Sequence, residues 1–272
     1  MIGLGRLKTL TRDVISTHRR SSAIRTLHRV ASFVESAYAN EGSDFESNGE
    51  RTLLEKLHSF DFHTALDVGA NFGDWTEKAA AVWPQCHIHA FEVAPSTFEP
   101  LSRRFCSPKY RDRVTLNCLG LSDQEGVSRM YYYPDHPELT CASPRHERYQ
   151  AVPFDARFAV GDRYCDELNI DTVDFLKIDV EGAEYRVIQG FAPRLLAQKI
   201  HCIQFEYGAF ATQTRRLLGD YYSLLAPNYW IGKIYPGYVD FRDYDWTIEN
   251  FHFSNYCCVS RLRPDIQAAL NR

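Results

Sequence analysis

The ten residues Ala65-Leu66-Asp67-Val68-Gly69-Ala70-Asn71-Phe72-Gly73-Asp74 constrain what this chain can fold into more than any others. An apolar run carries Asp67, two glycines follow at Gly69 and Gly73, and a helical pattern begins at once. That order describes a strand turning tightly into a helix at the nucleotide-binding edge of a parallel α/β sheet. Phe91-Glu92 and Lys177-Ile178-Asp179-Val180-Glu181-Gly182 repeat its form, an apolar run closed by a carboxylate.

From His63 onward short apolar runs alternate with helical patterns, which predicts a parallel sheet with crossover helices. Strands are expected at residues 64–68, 87–92, 114–120, 173–179 and 200–207, with helices at 73–83, 96–106, 183–190 and 212–225. Between residues 124 and 170 the rhythm gives way to a polar, aromatic stretch, and a long irregular insertion of the kind that forms lids and binding loops is expected. Strand-like segments at 230–235 and 251–260 have no comparable helix between them, so they predict a closing antiparallel hairpin. The fold class is α/β: a Rossmann-like sheet with flanking helices at residues 61–272, preceded by a helical extension at 1–60.

Bulk properties narrow the partners. With 44% apolar and 24% charged residues the chain has the composition of an ordinary folded protein. Its net charge of −4 lacks the basic footprint expected of a nucleic-acid binder. The charge is nevertheless uneven: residues 1–30 hold seven Arg and Lys against Asp13 alone. This basic start is open to three readings, namely contact with an anionic surface, an organelle transit peptide, or a solvated helix packed on the domain. No window approaches the ~18 apolar residues of a membrane-spanning helix, and no secretory signal is visible. The eight cysteines form no C-x-x-C pair and no zinc-type cluster with histidine, so buried free thiols in a reducing, cytoplasmic compartment are expected.

In open parallel sheets ligands bind beyond the carboxyl ends of the strands. On this reading Asp67, Glu92, Ser122-Asp123, Asp179 with Glu181, and Glu206 all line one edge. The turn discriminates between ligands. Gly69 to Gly73 keeps only part of the G-x-G-x-x-G pattern that cradles a pyrophosphate, and a carboxylate at Asp67 would repel one. It suits a cationic ligand instead, such as S-adenosylmethionine with its sulfonium and ammonium groups. Glu92, at the end of the next strand, is placed to accept both hydroxyls of a ribose.

Taken together, Asp67-Val68-Gly69-Ala70-Asn71-Phe72-Gly73, Phe91-Glu92, Gly120-Leu121-Ser122-Asp123 and Lys177-Ile178-Asp179-Val180-Glu181-Gly182-Ala183-Glu184 resemble the FkbM family of S-adenosylmethionine-dependent methyltransferases. The resemblance covers about residues 45–210, and its most specific element is the last. It implies a class I methyltransferase fold, S-adenosylmethionine as cofactor, and O-methylation of a hydroxyl on a sugar, polyketide or related metabolite. By the same resemblance Gly69, Asn71 and Gly73 shape the loop under the methionine moiety and Asp67 faces the cofactor's amino group. Glu92 holds the ribose, Ser122 and Asp123 meet the adenine, and Glu50 reaches the cofactor from outside the sheet or merely caps a helix. Two departures stand out. Glu92-Val93-Ala94-Pro95 replaces the usual Glu-Pro, and before the fourth strand only Asp162 and Tyr164 keep the family pattern.

Methyl transfer to an alcohol needs an in-line arrangement and a group to take the proton. Asp179 is the foremost candidate for that catalytic or positioning role, with Asp179 also near the cofactor; Glu206 is the runner-up and Glu181 stands beside them. The architectural alternative is that one of the pair Asp179 and Glu181 only caps the next helix. His87 and His89 share a strand face but lie at the wrong end of it, and His252 is a remote candidate. Asp179, Glu181 and Glu206 could converge on a divalent cation, but no spacing argues for one, so no metal ligand is assigned. The aromatic segment Trp230, Tyr235, Tyr238, Phe241, Tyr244, Trp246 reads mostly as core. The expected partner is a small-molecule or glycan acceptor. The alternatives are methylation of another acceptor class and a non-catalytic, cofactor-binding partner in a biosynthetic complex.

Overall fold

Strand ends gather at one edge of an eight-stranded sheet because the chain reverses its winding there. The computed structural model describes residues 4–144 and 149–272, so residues 1–3 of the helical extension and 145–148 of the insertion lie outside the described residues. Residues up to 41 form one compact unit and residues 42–272 a second. The first unit consists of α1 (Leu4–Thr17) and α2 (Ser22–Tyr38), the latter capped by Ser21, whose hydroxyl accepts the Ile24 amide at 3.3 Å.

The second unit opens with α3 (Glu50–Leu57), β1 (Thr64–Val68), α4 (Asp74–Val82), β2 (His87–Phe91), α5 (Pro95–Arg104) and β3 (Val114–Asn117). It continues through β4 (Gly120–Ser122), β5 (Gly126–Tyr132), β6 (Val152–Val160), α6 (Gly161–Glu167), β7 (Val173–Ile178), α7 (Glu184–Gln189), α8 (Ala192–Leu196) and β8 (Ile200–Tyr207). It closes with α9 (Ala211–Thr214), α10 (Leu218–Leu225), β9 (Tyr229–Tyr235), β10 (Tyr238–Phe241), β11 (Ser254–Ser260) and α11 (Pro264–Leu270).

The large sheet has the order β10-β9-β11-β8-β7-β1-β2-β3. The pairs from β8 to β3 are parallel, and β11, β9 and β10 join antiparallel. The chain runs outward from β1 through β2 to β3 and then returns to the other side of β1 as β7. The boundary between β1 and β7 is therefore the switch point where such sheets open a crevice. Side chains alternate between two cores, with Leu66, Val68, Leu176, Ile178, Ile203 and Phe205 on one face and Ala65, Phe175 and Cys202 on the other. Burial of each such Leu, Ile or Phe contributes about 1.5–3 kcal/mol.

Three expectations are corrected here. The single strand at 114–120 is two: β3 stays in the large sheet, while β4 enters a second, three-stranded sheet of order β4-β6-β5. The stretch 124–170 is irregular only in part, because β5 and β6 pair antiparallel from Gly126 against Phe158 to Tyr132 against Val152, and α6 follows. The helix at 212–225 is broken into α9 and α10 at Arg215, whose left-handed φ of +55° ends the first. The predicted C-terminal pairing is present as β9 against β11, with β10 added outside β9. All eight cysteines are free thiols.

Candidate active site

At the switch point the loops after β1 and β7 are pressed together by backbone contacts. The Asp179 amide donates to the Val68 carbonyl at 2.9 Å, and the Gly69 and Ala70 amides both donate to the Phe91 carbonyl at 3.0 and 2.9 Å. Gly69 has φ +87°, and a Cβ there would stand 1.8 Å from the Asp179 carbonyl oxygen. Only glycine fits this position. Gly73, with φ +85°, lies against Phe105 and Leu101 and starts α4, whose first turn carries Asp74 and Glu77.

Beneath these loops a row of polar side chains crosses the face that carries Phe175. Asp67 lies opposite Lys177, and Lys177 opposite Gln204. Lys177 is the only cation of β7, whose six residues are all buried. Its Nζ stands 3.1 Å from Asp179 Oδ2 and 3.5 Å from Asp67 Oδ1. Burial disfavours its charge, but Asp179, Asp67 and Glu50 outweigh that and raise its pKa. Asp67 is wholly buried; its Oδ2 accepts the Thr76 hydroxyl at 2.6 Å, and Oδ1 has no hydrogen-bond partner among the described residues. Burial pushes the Asp67 carboxyl up, and the Lys177 ammonium opposes the shift. Asp67 thus lies under the loop, wholly buried and held by Thr76 and Lys177.

Glu50 is part of the scaffold as well. Its Oε1 accepts from Asn48 Nδ2 at 2.7 Å and its Oε2 from Gln204 Nε2 at 2.6 Å, with Asn255 Nδ2 at 3.5 Å from Oε1. These bonds tie the start of α3 to β8 and β11. Both oxygens are engaged, so Glu50 is a buried tie between elements, not an exposed cap.

Further out, Asp179, Glu181 and Glu206 converge, each offering a carboxylate oxygen within 4.8 Å of the others. The geometry comes from the turn after β7, where Glu181 (φ +54°) and Gly182 (φ +100°) are both left-handed. A non-glycine residue in that region is held there at a cost of about 1–2 kcal/mol. Glu184 staples the turn: its Oε1 accepts the Val180 and Gly182 amides at 3.2 and 2.9 Å. Burial lifts Glu184 up to about 7 against the pull of those amides. Burial, reinforced by Asp179, Glu181 and Glu184, also pushes Glu206 well above the ordinary glutamate range. Burial thus favours the neutral form of Glu206, while Asp179 pairs with Lys177. The three carboxyls could also gather a divalent cation by chemistry, the convergence that the sequence left open.

Glu92 closes the other side. It is buried, its Oε2 accepts the Asn71 amide at 3.0 Å and its Oε1 the Ala94 amide at 2.8 Å. The three-residue step from Glu92 to Pro95 thus supplies an amide to the glutamate and places Pro95 in the first turn of α5. Burial pushes Glu92 up and the two amides oppose it. Each oxygen keeps a lone pair for a ligand hydroxyl. Asn71 Oδ1, on the loop after β1, is buried without a partner among the described residues, so it can accept from a ligand donor. Buried acceptors without donors, a glutamate at the end of β2 and a net-acidic lining suit a ligand that brings hydroxyls and positive charge, as S-adenosylmethionine does. Ser122 Oγ donates to Asp123 Oδ1 at 3.0 Å, and Arg186 Nε bonds the same oxygen at 2.7 Å. Asp123 is therefore anchored to α7.

Several participants were missed from sequence. Lys177 had a signal, since a lone lysine in a fully apolar strand needs a carboxylate partner. Gln204 and Asn255 had none. The two family positions before β7 prove architectural: Asp162 Oδ1 accepts from Arg194 at 2.7 Å, and the Tyr164 hydroxyl meets His89 Nδ1 at 2.8 Å and Asn117 Oδ1 at 3.2 Å. His89 is held neutral, its pKa lowered to about 4 by burial and by His87. In the aromatic C-terminal segment Trp230 and Phe241 pack against the core, but Trp246 stands 76% exposed. The loop that carries it is fastened to the cleft edge by Glu249, which bonds the Tyr207 hydroxyl and the Leu218 and Gly219 amides.

Comparison with known proteins agrees with this geometry. The family described as Methyltransferase FkbM domain matches residues 67–230, more than half of the chain. The 31-O-demethyl-FK506 methyltransferase FkbM of Streptomyces tacrolimicus is 30% identical over 46% of this chain and 58% of its own length. The 2-O-methyltransferase NoeI of Sinorhizobium fredii is 27% identical over 51% of this chain and 60% of its own. The matched part of this chain spans less than two thirds of either relative. Among solved structures, the methyltransferase FkbM of Methylobacillus flagellatus is similar with a TM-score of 0.47 at 16% identity, over 75% of this chain and 47% of that one. With its family match running from Asp67 through the Asp179–Glu184 turn and past Glu206, the chain belongs to the FkbM family of S-adenosylmethionine-dependent methyltransferases.

Proposed function

We propose that this chain transfers a methyl group to a hydroxyl of a sugar or related small metabolite. The observation that carries the reading is the convergence of Asp179, Glu181 and Glu206 beside the Gly69 loop, with Glu92 bonded to the Asn71 amide of that same loop. When bound, the cofactor supplies a methyl carbon already activated by a sulfonium. Glu92 and Asn71 hold its ribose side, Ser122 and Asp123 flank the adenine, and Gly69 and Gly73 keep the loop close beneath it. Asp67 and the acidic lining favour its positive charge.

Asp179, paired with Lys177, accepts the hydrogen bond of the acceptor hydroxyl and then its proton. Glu206, whose neutral form burial favours, donates a hydrogen bond to a neighbouring acceptor oxygen, and Glu181 orients the same group from the turn. Trp246, on the loop tied to Tyr207, offers an exposed ring to a sugar face. Support for an oxygen acceptor comes from the two relatives, of which one is a 2-O-methyltransferase and the other acts on a 31-O-demethyl compound.

The test is transfer from methyl-labelled cofactor to a panel of hydroxylated sugars and metabolite extracts, read by mass. Glu206→Gln keeps neutrality and a donor, so it retains most of the rate. Asp179→Asn loses the base and drops kcat by roughly 10²–10⁴-fold. Transfer that survives Asp179→Asn but not Glu206→Gln would reverse the two roles, and product methylated on nitrogen would overturn the acceptor class.

A further inference from the structure

Helix α2 is an amphipathic surface with nothing of its own unit laid over it. None of its residues is buried, and Leu27, Val30, Phe33, Val34 and Tyr38 are between 52% and 84% exposed. At 100° per residue Ile24, Leu27, Ala31, Val34 and Tyr38 fall on one stripe in alternating steps of three and four. Arg25 and Arg29 lie on the opposite side with His28 on the flank, Arg19 and Arg20 sit in the preceding turn, and Glu35 is the only acid on the helix. Among the described residues no helix is long and apolar enough to cross a membrane.

An apolar stripe that carries an exposed Leu and Val, arginines on the polar side, and too few apolar residues overall to span a bilayer are what a helix needs to lie in the plane of a membrane surface. We propose that α2 docks this protein onto an anionic lipid surface, with the Leu27–Val34 stripe in the acyl boundary and Arg19, Arg20, Arg25 and Arg29 on headgroup phosphates. Charge selects this occupant. A second copy would bring like-charged helices together, whereas an anionic bilayer complements the arginines and accepts the stripe without a matching shape. The proposal is independent of the methyltransferase reading and is tested without turnover.

The full chain is sedimented with vesicles of phosphatidylcholine mixed with phosphatidylglycerol, and with phosphatidylcholine alone. Binding to the mixed vesicles, weakened by salt and much lower without the anionic lipid, is the expected result. Arg25→Ser with Arg29→Ser lowers partitioning about thirtyfold, at the usual contribution per basic residue. Leu27→Ser with Val34→Ser lowers it at least tenfold. Thermal melting of each variant reports whether the sheet domain is intact. Absence of binding, equal binding to both lipids, or an unaffected Leu27/Val34 variant overturns the proposal. So does light scattering that shows the stripe holding two copies together with no vesicle association.

Discussion

Lys177 is the residue on which the site's electrostatics turn. It faces two carboxylates, Asp67 buried and Asp179 half exposed. Replacing it by Met leaves Asp67 in the interior without its cation, a loss of about 3–5 kcal/mol for a broken buried pair. Urea unfolding should show that loss, and adding Asp67→Asn should restore much of it, because the uncompensated charge is then gone too. Equal stability of Lys177→Met and wild type would remove Lys177 from this role. Glu184 gives a pH-dependent counterpart. Burial holds it at about 7 against an ordinary value of 4.5, so between those limits the folded chain keeps a proton that the unfolded chain has released. Its contribution is complete below pH 4.5 and is lost as pH rises through 7. Across that window it amounts to roughly 3 kcal/mol at about 1.4 kcal/mol per pKa unit. Glu184→Gln should therefore flatten part of the decline in stability from about pH 5 to about pH 8, measured by urea midpoints; an unchanged slope would contradict the assignment.

At the level of elements, the turn after β1 and the turn after β7 are one construction. Gly69→Ala would place a methyl group within 1.8 Å of the Asp179 carbonyl and in a left-handed backbone at once. Several kcal/mol of destabilisation, together with weakened cofactor binding, is the expected outcome. Gly237, also left-handed but with nothing within 4 Å of its Cβ position, is the control, and its Ala variant should lose only about 1 kcal/mol. Similar losses in the two variants would show that conformation alone, not the loop contact, sets the requirement. Much of this construction was legible in advance. The glycines, Asp67, Glu92 and the Asp179–Glu184 turn announce themselves because an apolar strand that ends in a carboxylate has few physical readings. The partners were not legible. Gln204 and Asn255 reach Glu50 from strands far along the chain, and sequence spacing carries no trace of a contact made by strand register. β5 was also hidden, because its exposed run Gly126–Tyr132 lacks the apolar alternation that marks a half-buried strand; β6 does alternate, from Phe154 through Ala156 to Phe158, but the proline-rich, polar stretch before it masked the signal.

For the molecule as a whole, a switch-point cleft in one unit and a basic amphipathic arm in the other divide the chemistry from the proposed docking. The arm's period was readable in sequence, but the absence of any buried residue on α2 was not, since only coordinates show which faces are covered. The central claim concerns the cleft: that Glu92, buried and bonded to the Asn71 and Ala94 amides, keeps its remaining lone pairs for an adenosyl ribose. Calorimetric titration of S-adenosylhomocysteine into the wild type and into Glu92→Ala measures this directly. Saturable binding to the wild type is expected, weakened by roughly two to four decades in the variant, as the loss of two charge-assisted hydrogen bonds at about 1.5–3 kcal/mol each requires. Equal affinity in the two proteins, with both folded, would contradict the account.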